Sequence, residues 1–289
     1  MLQVLISGVA AGCIYGLIAL GFVLIYKATE TVSFAQGDVM MVGAFVALLL
    51  LNHMALPLLL ALPLTVASMA LIGLLVERAL IRPVLGQPAF AIVMLTLGLG
   101  YVARGLITML PGVGTDTHSL KLPYGGPIAL PGGLVLAVEQ LVVIGATLLL
   151  CGLLFVLFRF TKVGIAMQAA SQNQLAAYYM GIPVRRLNGY VWALAAGVAG
   201  IAAVLLAPIT FVHANMGLIG LKAFPAAVVG GFGSLPGAIV GGVIIGVVEA
   251  LAGFYLPEGF KDVSAYVLVL VMLWVMPHGL FGERLAKKV

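Results

Sequence analysis

Apolar runs long enough to cross a bilayer recur from one end of this sequence to the other, and no other feature constrains the fold as strongly. A helix needs about 20 apolar residues to span the ~30 Å of hydrocarbon in a membrane. Runs of this length, or somewhat shorter, occupy residues 2–25, 34–51, 57–76, 89–110, 134–158, 190–206, 217–229, 238–256 and 263–276. With 63% hydrophobic and 8% charged residues in 289, and a mean hydropathy of +1.24, the chain has too little polar surface to enclose them in a water-soluble globule. The expected fold is all-α: a polytopic integral membrane protein with one transmembrane domain over 1–289 and about eight or nine hydrophobic segments. The opening residues MLQVLISGVAAG carry no Lys or Arg ahead of their apolar run, so they read as a retained span and not as a secretory signal.

The charges give the topology. The net charge of +5 is spread over loops and span ends and is not gathered with aromatics into a stripe, which argues against nucleic acid. Basic residues beside spans favour the cytoplasmic side. They cluster at Arg78 and Arg82, at Arg159, Lys162, Arg185 and Arg186, and at Arg284, Lys287 and Lys288. If every segment crosses, all three clusters share the cytoplasmic face and the N-terminus lies outside. The stretch 159–189 contains no acid and forms a cytoplasmic handle. Within it 173–180 reads as a short helix, with Asn173 as N-cap and Gly181 and Pro183 as the stop. Such a helix either offers a grip to another protein or is an ordinary inter-span loop.

Glycine and proline mark the unusual segments. Gly8, Gly12 and Gly16 cut notches along one face of the first span, where another helix can pack. Residues 111–133 are rich in Pro and Gly and read as an external loop, with a hairpin about 124–127. Segment 34–51 opens with the polar FAQGD, and segment 217–229 is short, holds Lys222 and Pro225 and runs into GGFGSLPG. Both read as broken or re-entrant helices, one in each half, which points to an inverted repeat. A lysine at a span centre costs about 2.5–3.5 kcal/mol, so Lys222 either meets Asp38 or Glu249 or snorkels to the surface. Arg104, late in its span, reads as an interfacial charge.

Several chemistries find no residues. There is no GxxxxGK[ST] phosphate loop, no HExxH or other His spacing for a metal, and no Ser-His-Asp set, so neither an enzyme nor a cofactor is expected. Cys13 and Cys151 sit in apolar runs without CxxC spacing and read as packing residues. A self-contained secondary transporter would fit the broken helices but would concentrate more acids within them.

Three stretches, GLIALGFVLIYKATETVSFAQGDVMMVGA, TKVGIAMQAASQNQLAAYYMGIPVRRLN and LKAFPAAVVGGFGSLPGAIVGGVIIGVVEAL, occur in the order found in a known family. The sequence resembles the permease subunits of branched-chain amino acid ABC importers, the LivH type. The resemblance implies a multi-pass protein of the bacterial inner membrane. It also implies a second, related permease, two cytoplasmic ABC ATPase subunits and a periplasmic binding protein as partners. On the same ground Ala169, Ala170, Asn173, Ala176, Ala177 and Gly181 form the coupling segment, whose small side chains let a helix enter an ATPase cleft. Related permeases carry an arginine where this chain has Gln168, and an acid near Gln172 and Asn173, so those contacts differ here. Phe34, Gln36, Asp38, Lys222 and Phe224 are the expected substrate pathway, the alternative being that they pack the broken helices. Other permeases of this class carry urea or short amides, and the sequence does not separate these cargoes.

Overall fold

The computed structural model describes residues 1–120, 128–130, 134–257 and 259–282. Eleven helices carry the described chain: α1 (Leu2–Thr29), α2 (Gln36–Leu48), α3 (Leu58–Val76), α4 (Ala89–Thr108), α5 (Val138–Phe160), α6 (Lys162–Gln172), α7 (Gln174–Tyr179), α8 (Val184–Thr210), α9 (Ile219–Gly230), α10 (Leu235–Tyr255) and α11 (Phe260–Val275). Two three-residue strands, β1 (Ile128–Leu130) and β2 (Leu134–Leu136), pair antiparallel between α4 and α5. Seven helical stretches are long and apolar enough to span a membrane, while 214–230 and α11 are shorter. The fold is that of an all-α polytopic membrane protein. The hairpin expected at 124–127 and the basic tail at 284–288 lie outside the described residues.

Local sequence sets the helix ends. Thr161 starts α6, its hydroxyl accepting from the Gly164 amide at 3.0 Å, and Ser234 starts α10 in the same way through Gly237 at 3.1 Å. The helix α8 begins at Val184, six residues before the apolar run, because Arg185 and Arg186 extend it past the hydrocarbon. It also continues two residues beyond Pro208. A proline removes one amide bond in the last turn without forbidding the helical backbone ahead of it.

Two groups of contacts define the faces of the bundle. On one, the Gln174 side chain donates to the Ala28 carbonyl at the end of α1 (2.7 Å), and Gly189 of α8 lies against Glu77 and Arg82 at the end of α3. On the other, Asn52 donates to the Ser119 carbonyl (2.9 Å) and His118 pairs with Val212 after α8. The basic residues 159–186 lie with the first group, the face that the preference of basic residues for the inside assigns to the cytoplasm, and Met1 lies at the opposite face.

The packing repeats itself with the halves exchanged. α1 lies along α10, antiparallel, with Gly8, Gly12 and Gly16 facing Ala250, Gly242 and Ile239 in turn. α8 lies along α3, also antiparallel, with Gly73 against Trp192 and Gly200 against Met69. α2 runs beside α8 and α9 beside α1; α2 touches α4 and α9 touches α11. Each of α8–α11 therefore occupies the place of the corresponding member of α1–α4 and runs in the opposite direction. This is the inverted repeat that broken segments in both halves pointed to. α5, α6 and α7 connect the two units.

Candidate functional site

The two broken helices meet at their N-terminal ends. A Cβ on Gly37 would overlap the Gly217 carbonyl, and one on Gly220 would overlap the Gly37 Cα, so the crossing requires glycine on both sides. The backbone amide of Phe34 donates to Thr96 of α4 at 3.2 Å, and α4 is near its midpoint there, so α2 starts well inside the membrane. The α9 unit enters through a short 3-10 turn (Ala214–Leu218) from the external side and reaches the same depth. Freed backbone groups of such interrupted helices are tolerated where they face protein or a passage.

The side chains at this crossing fall into three places. Asp38 accepts from Arg104 of α4 at 2.7 Å, and its carboxylate fills the spaces where side chains on Gly100 and Gly217 would be. The pair is mostly enclosed, at 14% and 21% exposure, and the Arg104 Nε has no partner. Asp38 thus meets Arg104, not Lys222. The arginine that reads as interfacial in the sequence is its ion partner.

Phe34 and Phe224 come together with ring centroids 5.4 Å apart, and Phe224 also contacts Phe22 and Phe232 at 5.9 and 5.7 Å. Tyr26 extends this cluster to the cytoplasmic end of α1, 5.0 Å from Phe232. Gln36 is buried beneath it, donating to the Ala195 carbonyl at 3.2 Å and filling the space over Gly21. It packs α1 against α8.

Lys222 lies two residues from Phe224 and so about 200° around the helix, on the other side of α9. Its Nζ reaches Glu249 of α10 at 3.3 Å and Asp262 of α11 at 2.5 Å. Sequence reading proposes Glu249 and misses Asp262, which sits just ahead of the last apolar run. An acid beside the start of the last span, with a lysine in a neighbouring broken helix, was the available signal.

On the basic face α6 and α7 form an elbow. Asn173 caps α7 by accepting from the Ala176 amide at 2.9 Å, and Gly181 ends it with a positive φ of 82°. Ala170 and Ala177 point into the bundle, Ala169 is half-buried, and Asn173, Ala176 and Gly181 are exposed. The outer surface of α7 is built from larger side chains: Leu175, Tyr178, Tyr179 and Met180 are 65% to 83% exposed. Gln174 fastens the elbow to the end of α1.

Comparison with known proteins follows this geometry. Residues 4–276 match the family described as branched-chain amino acid transport system / permease component. The chain belongs to that family. The permease is 29% identical to the high-affinity branched-chain amino acid transport system permease protein LivH of Salmonella typhimurium, across 100% of its own length and 97% of that protein. It is 28% identical to the permease protein BraD of Pseudomonas aeruginosa, across 100% and 98%. With the probable LivH of Methanocaldococcus jannaschii it shares 33% identity over 92% of this chain and 88% of that one. No solved structure matches.

Proposed function

We propose that this permease is one membrane subunit of an ATP-binding-cassette importer that carries branched-chain, hydrophobic amino acids across the bacterial inner membrane. It pairs with a second, related permease. Two cytoplasmic ATPase subunits drive the pair, and a periplasmic binding protein delivers the cargo. The relatives' names support the cargo and the transport role. The observation that carries the reading is the elbow: a cytoplasmic helix of capped, fixed geometry whose outward face is apolar and aromatic, joined directly to α1 and α8. A face of that kind in water is a docking site, and closure of the ATPases upon it would move both long helices.

Alternating access then uses the inverted repeat. The units containing α2 and α9 rock about the contact between Gly37 and Gly220, and the cluster around Phe224 blocks or opens the path. Weak aromatic contacts suit an apolar side chain in transit.

The test is reconstitution with the second permease, the ATPases and the binding protein in vesicles. Leucine uptake that requires both ATP and the binding protein is expected; uptake by this chain without ATP would overturn the reading. In the same vesicles Gly181→Val forces a β-branched residue to a left-handed backbone, at about 1–2 kcal/mol. The leucine moved per ATP hydrolysed is expected to fall about tenfold for a comparable loss of coupling energy. Unchanged coupling in that variant would remove α7 from the docking role.

A further inference from the structure

A cavity of about 590 Å³ opens between the ends of α1, α8, α10 and α11, on the side of α9 that faces away from Phe224. Its volume lies in the ~300–1,000 Å³ range of small-molecule sites. Tyr15, Lys222, Glu249 and Lys261 line it together with apolar side chains such as Ile14 and Leu206. Glu249 stands about two turns inside the end of α10 and is 4% exposed. The cavity has a charged end and an oily wall.

We propose that this cavity is a waystation for the zwitterionic head of a free α-amino acid, with Glu249 receiving the ammonium and Lys222 the carboxylate; this rests on the import reading above. The arrangement of the charges favours it. Lys222 lies 2.5 Å from the exposed Asp262 but 3.3 Å from the buried Glu249, and a well-made charge-assisted bond is about 2.7–2.9 Å. The buried acid thus holds its cation less closely than the exposed one, with the neutral Tyr15 hydroxyl as its other neighbour, and a buried carboxylate gains most from a close cation. An incoming ammonium supplies that cation. The carboxylate on the same carbon takes the lysine, which Asp262 at the rim has drawn toward the opening. A zwitterion leaves the net charge of the cavity unchanged, whereas an amine or an acid alone adds a charge inside the membrane. The apolar wall accepts the side chain without choosing its shape, which fits hydrophobic amino acids as a class.

The assembled transporter in nanodiscs, without ATP and with Cys13 and Cys151 replaced by Ala, provides the assay. Ser7→Cys on the cavity wall is labelled with a membrane-impermeant maleimide. Leucine at about ten times its Kd is expected to slow labelling roughly tenfold, because protection follows the unoccupied fraction. Its deaminated acid, 4-methylpentanoate, and its decarboxylated amine, 3-methylbutylamine, are expected to protect less than twofold. These arms leave the ion pair intact. In Lys222→Met/Glu249→Gln the protection by leucine is expected to vanish while labelling continues. Equal protection by the acid or the amine, protection that survives neutralisation, or none in the unneutralised protein would overturn the site. ATP-driven uptake in the same preparation separates the two readings: uptake without protection sinks the waystation alone, and protection without ATP-driven uptake sinks the import reading alone.

Discussion

The two antiparallel seams, α1 with α10 and α3 with α8, stand in corresponding places of the inverted repeat but are packed differently. In the first, backbone meets backbone: Gly8, Gly12 and Gly16 face α10, with Gly242 of α10 against Gly12 and Gly16 and Gly246 against Gly8 and Gly12. In the second, Gly197 and Gly200 of α8 meet the side chains of Val66 and Met69 first, and Gly73 approaches backbone closely, at the Trp192 carbonyl. Burial follows the same order. The apolar window of α1 is 83% buried within the subunit, and that of α3 is 22% buried. One backbone plan therefore yields a fixed axis on one side and a cushioned contact on the other, with α3 left free to face lipid or a second subunit.

Substitution at the glycines breaks the comparison most sharply. A Cβ at Gly12 would stand 2.6 Å from both the Gly242 carbonyl and the Val243 Cα, and backbone on a facing helix does not yield. Gly12→Val is expected to cost at least the ~1–3 kcal/mol of an overpacked core and to lower the yield of monodisperse protein on size exclusion. Gly197→Ala meets Val66 Cγ1 at 3.4 Å, ordinary contact, and is expected to stay within about 0.5 kcal/mol in thermal unfolding. Equal losses at the two sites would mean that the seams do not differ.

The charge pairs of the two units form a second comparison. Asp38 with Arg104 joins α2 to α4, and Lys222 with Asp262 joins α9 to α11, so the corresponding helices are linked by pairs of reversed sign. The first pair is mostly enclosed, while Asp262 is 67% exposed. Double-mutant cycles on thermal stability, with Asp38→Asn and Arg104→Gln against Lys222→Met and Asp262→Asn, are expected to give about 1–3 kcal/mol for the first. For the second, screening by water holds the coupling below about 1 kcal/mol. A larger coupling at Lys222 would contradict the picture of a lysine held loosely at the mouth of a cavity.

What the sequence makes legible follows from the range of each interaction. Hydrophobic length identifies the spans, and the polar FAQGD opening of 34–51 and the glycine, lysine and proline in 217–229 identify the broken helices, because those effects act within a few residues. The notches at Gly8, Gly12 and Gly16 are visible, but their partner is more than 200 residues away and no local pattern names α10. Arg104 sits 66 residues from Asp38, so it reads as a snorkelling charge until α2 and α4 are brought together. The elbow is partly legible: Asn173 and Gly181 mark the ends of α7, yet α6 was missed. KVGIAMQAASQ mixes glycine, polar and apolar residues, so no apolar period marks it as a helix, and its cap, Thr161, follows α5 directly. The alanines read as the docking surface are divided between inside and outside by helix phase, which composition alone does not supply.

The smallest expected effect concerns the aromatic cluster that the two units share. Phe22 and Phe34 come from the first unit, Phe224 and Phe232 from the second, and Phe224 touches the other three rings. An aromatic pair is worth about 0.5–1.5 kcal/mol beyond the area it buries. A cycle on Phe34→Leu and Phe224→Leu is expected to show coupling in that range by thermal unfolding, with leucine retaining most of the apolar volume. If the cluster also separates the two faces, Phe224→Leu raises ATP-independent leucine leakage in vesicles, while Phe34→Leu, which removes a single ring contact, raises it less. Coupling without any change in leakage would leave these rings as the packing of the broken helices alone and move the barrier elsewhere along α9.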